Sequence, residues 1–220
     1  MYNSKQTRPL VIVTVLVSFA GCAGKIRYPS YYVLDVPARP SVTNHQQPIL
    51  GSVAVRQFSA PEFLREGPIA YRPSAEQLEF YNYHRWAEDP RGVVTAAVVR
   101  EMQARGIFQS VVVFDGRGTA EGLVTGTLDH LEEVDQGSNV SIKVGLSARL
   151  TNLRTGEVLW QGASSSNEKL DQRSVPGEVA EMSREVGSVV ENLISSMQDR
   201  LSAARLPGSQ SNSEQQRVKR

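Results

Sequence analysis

Apolar and polar residues alternate most regularly between Val140 and Thr151. The apolar positions are Val140, Ile142, Val144, Leu146, Ala148 and Leu150, and every residue between them is polar or glycine. A period of two predicts a β-strand with one face on a core and the other toward water. Turn-forming residues precede this strand at 136–139 and follow it at 152–157. The pattern therefore predicts a three-stranded antiparallel meander whose outer strands cover Leu123–Val134 and Val158–Ser166.

Two other segments repeat apolar residues every three or four positions, which is the helical period. The first is bounded by Asp89 and Pro90, suited to a helix start, and by Gly106, suited to a helix end. Its apolar residues are Val94, Ala97, Val98 and Met102, and it predicts a helix over 90–105. The second predicts a long C-terminal helix that starts near Pro176. Its stripe consists of Val179, Met182, Val186, Val189, Leu193, Met197 and Leu201.

Shorter apolar runs predict the remaining strands. They are Tyr31–Asp35, Leu50–Phe58, Ile69–Tyr71, Leu78–Tyr81 and Ile107–Phe114. The last run is almost continuously β-branched or aromatic, which predicts a strand buried on both faces. The fold class is therefore α/β or α+β: a single sandwich in which two main helices pack on one face of a mixed β-sheet. That arrangement lets one chain cover both helical stripes.

Composition and charge narrow the class of protein. The 220 residues include 24 basic and 23 acidic side chains, and 40% of the chain is hydrophobic. This balance is typical of a globular domain and excludes wholesale disorder, a collagen-like chain and a polytopic membrane protein. A near-neutral charge also argues against a nucleic-acid partner, which would require a clustered cationic excess.

The N-terminus has the features of an export signal. Lys5 and Arg8 precede an apolar run, Leu10–Phe19, that has about half of the ~20 residues needed to span a bilayer. Ala20 and Gly21 then precede Cys22, which resembles a bacterial lipobox, although Phe19 stands where Leu is usual. We expect a signal peptide over 1–21. The resemblance implies that Cys22 is the lipid-attachment site, with a thioether-linked diacylglycerol and an N-acyl chain.

Cys22 is the only cysteine, so it can form neither an internal disulfide nor a cysteine-based zinc site. The alternative is an incidental buried thiol. Residues 22–30 are interpreted as a short lipidated tether, and residues 204–220 as a disordered tail without hydrophobic periodicity. Ala23 follows the cysteine where Asp would suggest inner-membrane retention. By resemblance to lipoprotein sorting, this favours the outer membrane, facing the periplasm.

The sequence contains few signs of a catalytic or cofactor-binding site. The glycine-rich segment Asp115–Gly122 fits neither phosphate-binding fingerprint and indicates a surface turn. His45, His84 and His130 are candidate catalytic residues, but neither a nucleophile elbow nor a zinc-binding His-x-x-x-His helix accompanies them. We therefore expect no enzyme, no cofactor and no metal site.

One segment combines aromatic and basic side chains. Its candidate partner-contact residues are Tyr81, Tyr83, Arg85 and Trp86. The alternative, which the pattern favours, is a structural cluster that caps the helix over 90–105. The stripe of the C-terminal helix could likewise be a dimer seam, but packing on the sheet is favoured.

Several of these features occur together and in order: Ala20–Cys22, Tyr31–Asp35, Tyr71–Arg72, Trp86–Pro90 and Gly106–Phe108. With the meander and final helix, they resemble the ABC-type transport auxiliary lipoprotein family, whose members include the Pqi-type lipoprotein that accompanies MCE proteins. The resemblance spans about residues 22–203, and we assign 31–203 to one such domain.

The resemblance implies a non-catalytic outer-membrane lipoprotein that is an accessory of an MCE/ABC-type lipid transport system linking inner and outer membranes of a Gram-negative envelope. Its partners would be the membrane, through acylated Cys22, and an MCE-domain protein, with phospholipid and a second copy of the chain as further candidates. An envelope-biogenesis lipoprotein that supports peptidoglycan synthesis or outer-membrane assembly is the alternative. The short tether favours the first function, because crossing the peptidoglycan requires a long linker. A secreted hydrolase is a third hypothesis.

Overall fold

A computed structural model describes residues 27–37, 48–116, 119–137, 139–170 and 173–205. The predicted signal peptide, Cys22 and the tail beyond Arg205 lie outside these residues, as does His45. The last four positions of the predicted tether, 27–30, are described, and Ser30 already belongs to the first strand.

The described residues form one mixed sheet with two helices. The strands are β1 (Ser30–Tyr32), β2 (Leu50–Val55), β3 (Pro68–Arg72), β4 (Glu79–Trp86), β5 (Phe108–Val113), β6 (Gly122–Gln136), β7 (Asn139–Asn152) and β8 (Val158–Lys169). The helices are α1 (Pro90–Arg105) and α2 (Val175–Arg205), and a short 3-10 helix covers Glu62–Leu64. This confirms the predicted fold class.

The longest strand, β6, organises the sheet. On one side it pairs antiparallel with β7, which pairs with β8, as the alternating pattern predicts. On the other side, β2 pairs in parallel with β6 as far as Val124, and β3 pairs in parallel with it at Glu133 and Val134. Val124 and Val134 are ten residue steps apart, which corresponds to about 33 Å of extended strand. Two strand groups therefore share one edge of β6 at opposite ends.

We name these groups by their outermost strands. The β1 end consists of β1, β4, β3 and the last residues of β6. The β5 end consists of β5, β2, the first residues of β6 and the turn between β7 and β8, because Asn152 of β7 lies opposite Gly122 of β6.

Helix α1 has the boundaries that its flanking residues predict. The Asp89 carboxylate accepts a hydrogen bond from the Arg91 backbone amide at 2.9 Å, which satisfies a first-turn donor. Pro90 is the first helical residue. Gly106 ends the helix at φ +62°, a left-handed conformation that a residue without Cβ adopts at no steric cost.

Both helices lie on the same face of the sheet, and the hydrophobic core lies between the helices and the sheet. The apolar stripe of α2 is buried against β7 and β8, and Trp160 Nε1 donates to Ser196 Oγ at 3.3 Å. Arg105 of α1 reaches α2, where its Nη1 donates to Ser195 Oγ at 2.8 Å. Among the helices in the described part of the chain, none is both long and apolar enough to cross a bilayer.

Two expectations about individual strands are wrong. The run Ile107–Phe114 is not buried on both faces, because β5 is the outermost strand of its group and Val112 and Val113 are about half exposed. The strand predicted over Leu78–Tyr81 is too short, because backbone pairing with β3 and β1 extends β4 to Trp86.

Candidate functional site

Large apolar side chains are exposed together at the β1 end. Tyr28 is 79% exposed, Tyr31 63%, Val33 56% and Tyr83 44%. We call these four residues the aromatic edge. Tyr83 lies on β4, but the guanidinium carbon of Arg27 is 5.9 Å from the centre of its ring. Exposed apolar residues that gather in this way mark interaction surfaces more often than singly scattered ones do.

A ladder of stacked rings fastens β1 to the sheet. The ring centres of Tyr71 and Tyr81 are 4.8 Å apart, those of Tyr81 and His84 are 5.6 Å apart, and those of His84 and Tyr32 are 5.5 Å apart. The Tyr32 hydroxyl is also 2.8 Å from His84 Nδ1, within hydrogen-bond distance. The Ala87 amide donates to the Tyr32 carbonyl at 2.7 Å. These contacts hold the aromatic edge in a defined position.

The chain that follows β1 is fastened to the helical layer. Leu34 and Val36 are buried in the core. The Asp35 amide donates to Ser183 Oγ on α2 at 3.1 Å, and Arg100 on α1 donates to the Val36 carbonyl at 3.2 Å. Residues 32–36 are therefore held by both layers of the fold.

A polar cluster that contains two fully buried carboxylates lies beneath the β1 end on the helical side. Glu133, the first of them, accepts a hydrogen bond from the Tyr81 hydroxyl. Arg173 is about half exposed, and it pairs through Nη2 with Glu133 Oε1 at 2.9 Å and through Nη1 with Asp135 Oδ2 at 2.7 Å. Glu178, in the first turns of α2, is also fully buried, and neither of its carboxyl oxygens makes a hydrogen bond within the described residues.

Burial and the nearby Glu133 carboxylate raise the pKa of Glu178 to about 8, so its carboxyl is protonated at neutral pH. Burial, together with the hydrogen bond to Glu133, also raises the pKa of Tyr81. Within the described residues, no group of three or more His, Cys, Asp or Glu could hold a metal ion. The cluster therefore contains a protonated carboxyl, that of Glu178, at neutral pH. Its Glu133 carboxylate fixes the position of Tyr81 by accepting the hydrogen bond from the tyrosine hydroxyl.

The structure separates the four predicted partner-contact residues. Trp86 is only 6% exposed and belongs to the core, and Tyr81 points toward Glu133. Tyr83 and Arg85 lie nearer the surface, with Arg85 beside Tyr31 across the β1–β4 pairing. Contact between these two residues and a partner stays a prediction.

Sequence reasoning missed three residues of the aromatic edge: Tyr28, Tyr31 and Val33. The sequence pattern predicts only a strand and a tether for these residues. It nevertheless contains a sign of an exposed tyrosine, because the adjacent Tyr31 and Tyr32 break the alternation of apolar and polar residues that is typical of a half-buried strand.

The two described histidines do not come together. His84 faces Tyr81 and Tyr32, whereas His130 Nδ1 lies 3.0 Å from Glu132 Oε1. Since consecutive residues of a strand point to opposite faces, Glu132 lies on the face opposite Glu133. There it is fully buried and pairs with Arg72 Nε at 2.9 Å.

Two surface depressions are large enough to be candidate lipid sites. One, of about 370 Å³, lies between α1 and α2, and the other, of about 490 Å³, lies over β6, β7 and β8. Charged side chains line the first: Arg100, Glu101, Glu181, Arg184 and Glu185. Hydroxyl, amide and guanidinium groups line most of the second. Neither offers the predominantly apolar lining that an acyl chain requires.

Comparisons with known proteins agree with this geometry. The sequence matches the model of the ABC-type transport auxiliary lipoprotein component over residues 32–194. No curated protein matches the chain at a significant level.

Two solved structures are similar to the fold. A Xanthomonas campestris protein of the DUF330 family is 17% identical, with a TM-score of 0.67, and the match covers 80% of this chain and 98% of that one. The structure of an uncharacterized protein is 15% identical, with a TM-score of 0.58, and the match covers 76% of this chain and 97% of that one. At these identities the likeness concerns the fold alone. The family match covers most of the chain, which therefore belongs to the ABC-type transport auxiliary lipoprotein family, an accessory class associated with the cell envelope.

Proposed function

We propose that this protein is a non-catalytic adaptor of an MCE/ABC-type lipid transport system, anchored in the outer membrane by acylated Cys22. Family membership supports an accessory role in ABC transport. The observation that carries the proposal is the short distance between anchor and body. Arg27, five residues after Cys22, already contacts Tyr83 of β4. Five extended residues span at most about 17 Å, so the folded body would lie close to the bilayer.

The β5 end is the surface that we assign to the protein partner. Val112 and Val113 are exposed on β5, which pairs only with β2 among the described strands. Leu153 and Val158, near the turn between β7 and β8, are exposed at the same end. An unpaired strand edge can accept an extended segment of a partner through backbone hydrogen bonds, with apolar side chains adding contact area.

Co-purification tests this function. The full acylated chain would be extracted from the membranes of a host that produces an MCE-domain protein with its ABC permease and ATPase. We expect the MCE-domain protein to be recovered with it. Recovery of peptidoglycan-synthesis enzymes without any MCE-domain protein would contradict the proposal and favour the envelope-biogenesis alternative.

A pair of variants tests the assigned surface. Val112→Lys with Val113→Lys places two charges on β5, and we expect recovery of the MCE-domain protein to fall about tenfold, the equivalent of about 1.4 kcal/mol. Gln161→Lys with Asn167→Lys adds the same charge at exposed positions of β8 and serves as the control. An equal loss with both pairs would show that the effect is one of charge and not of the β5 surface.

A further inference from the structure

We propose that the aromatic edge (Tyr28, Tyr31, Val33 and Tyr83) rests in the headgroup region of the bilayer that holds Cys22. The inference depends on the proposed lipid anchor and adds a second contact between protein and membrane. Its occupant is the lipid surface itself, and not a protein partner or a second copy of this chain.

Chain length places the aromatic edge next to the membrane. Tyr28 follows the anchored cysteine by six residues, so its backbone lies within about 20 Å of Cys22 even in a fully extended tether. Tyr83 cannot be much farther away, because Arg27 packs over its ring. An exposed surface held this close to a bilayer encounters lipid far more often than any soluble partner.

The chemistry of the aromatic edge suits the bilayer interface. Three of its four residues are tyrosines, whose apolar ring and polar hydroxyl favour the boundary between acyl chains and headgroups. Lys25 and Arg27 lie in the tether, Arg85 lies beside Tyr31, and no acidic residue occurs between Cys22 and Leu34. Cationic groups near the surface are attracted to anionic lipid headgroups.

The aromatic edge is also held rigidly, which a second membrane contact requires. The ring ladder, the ion pair of Arg173 with the buried Glu133, and the contacts of residues 32–36 with both helices fix its position relative to the sheet. A covalent lipid and a preformed interfacial patch then act together, as membrane anchors commonly do. The contact would orient the body, and the β5 end would be directed away from the site of anchorage.

A second copy of the chain is a less suitable occupant. Stable protein interfaces use roughly 20 to 30 residues on each side, whereas the aromatic edge contributes four large apolar side chains. The apolar area is thus adequate for interfacial insertion but small for a self-sufficient dimer contact.

Site-directed labelling can test the inference because the chain has one cysteine, whose sulfur is blocked once acylated. The full acylated protein would carry Tyr31→Cys or Tyr83→Cys, each labelled with an environment-sensitive fluorophore. It would be reconstituted in phosphatidylethanolamine/phosphatidylglycerol vesicles that contain a quencher-bearing lipid with its quencher near the headgroup. Val113→Cys, equally exposed but at the β5 end, is the matched control.

We expect quenching of about twofold or more at positions 31 and 83 and none at position 113, since interfacial tyrosines lie at headgroup depth. Labels at 31 and 83 that stay in water on vesicle-bound protein overturn the inference. So does protection that appears only when an MCE-domain protein is added, or only at high protein concentration without vesicles. Tyr28→Cys, which lies outside every strand, is the substitute if either variant misfolds.

Vesicle flotation separates this inference from the proposed function. Protein that does not float with the vesicles shows that the anchor is absent, which contradicts the proposed function and with it the inference. Protein that floats without quenching at 31 and 83 overturns the inference alone and leaves the anchor intact.

Discussion

The two ends of β6 differ in both their surface and their interior. At the β1 end, tyrosines dominate the exposed apolar residues, and two buried carboxylates lie underneath with a tyrosine and a half-exposed arginine. At the β5 end, the exposed apolar residues are aliphatic, and Val53, Val55 and Val124 form a buried apolar interior. The β1 end therefore combines apolar packing with directional polar contacts, whereas apolar packing dominates the interior of the β5 end.

This difference shows how one sheet can present two unlike contacts. At the β1 end, polar and aromatic contacts of fixed geometry hold the aromatic edge in one orientation, which a membrane-facing surface would require. Aliphatic packing leaves an open strand edge that a partner can approach through its backbone. The β1 end also contributes pH-dependent stability, because burial raises the pKa of Glu178 there.

The largest effect is expected from removing the cationic partner of the fully buried Glu133. Arg173 itself is about half exposed, so solvent weakens the pair, and Arg173→Ala should cost about 2 kcal/mol of unfolding free energy because the Glu133 carboxylate stays buried without it. Urea denaturation at pH 7 would measure it. The control is Arg184→Ala, which removes an exposed arginine paired with Glu181 on the surface of α2 and should cost less than about 0.5 kcal/mol. Equal costs for the two variants would show that Glu133 does not depend on its cationic partner.

Glu178→Gln should stabilise the protein in a pH-dependent way. The unfolded chain releases this proton near pH 4.5, whereas the folded protein retains it up to about pH 8. The unfolding free energy therefore falls as pH rises between these values, and an amide in place of the carboxyl removes that loss. We expect a gain of less than about 1 kcal/mol at pH 5 and a severalfold larger gain at pH 8, because only half a pH unit of this loss has accumulated at pH 5.

Urea midpoints at the two pH values would test this, with Glu157→Gln as a control at an exposed carboxylate. A gain at pH 8 that is no larger than the gain at pH 5 would show that Glu178 is ionised in the folded protein.

A smaller and more local effect is expected from the ring ladder. His84→Ala removes the hydrogen bond between His84 and Tyr32 and two ring contacts, at a cost of about 1 kcal/mol. Amide hydrogen exchange should accelerate in β1 while β5 and β2 keep their protection. Acceleration spread evenly over the whole sheet would mean that the ladder supports global stability and not the β1 end.

The smallest effect is expected at the exposed edge of β5. Val112→Thr keeps a β-branched side chain and should change the unfolding free energy by less than about 0.5 kcal/mol. Recovery of the MCE-domain protein should nevertheless decrease, because apolar contact area is lost. A large change in stability would indicate that Val112 is part of the folding core.

Sequence patterns predicted the parts of the fold that repeat regularly. The alternation at 140–150 and the stripes of α1 and α2 are long enough to show their periods, and Asp89 and Gly106 mark helix ends by well-defined chemistry. The attachment of two strand groups to one edge of β6 could not be predicted, because strand pairing between distant segments leaves no local periodicity. For the same reason, the pattern of Ile107–Phe114 predicts a strand buried on both faces although β5 is the outermost strand of its group.

The candidate site was predicted only in part. Tyr81 and Trp86 belong to an aromatic segment that is visible in the sequence, but chain pairing decides that both turn inward while Tyr83 turns outward. The polar cluster brings Glu133 close to Glu178, which lies 45 residues later in the sequence, and Arg173 in the connection between β8 and α2 interacts with both. No rule of sequence spacing predicts that these residues lie close together.

Mass spectrometry of the protein extracted from native membranes tests the central claim, that a fatty-acylated cysteine anchors this adaptor. Trypsin cleaves after Lys25, so the N-terminal peptide should be Cys22–Lys25 carrying a diacylglycerol and an amide-linked acyl chain. A mature protein that retains residues 1–21, or that begins at Cys22 without added acyl mass, would contradict the account.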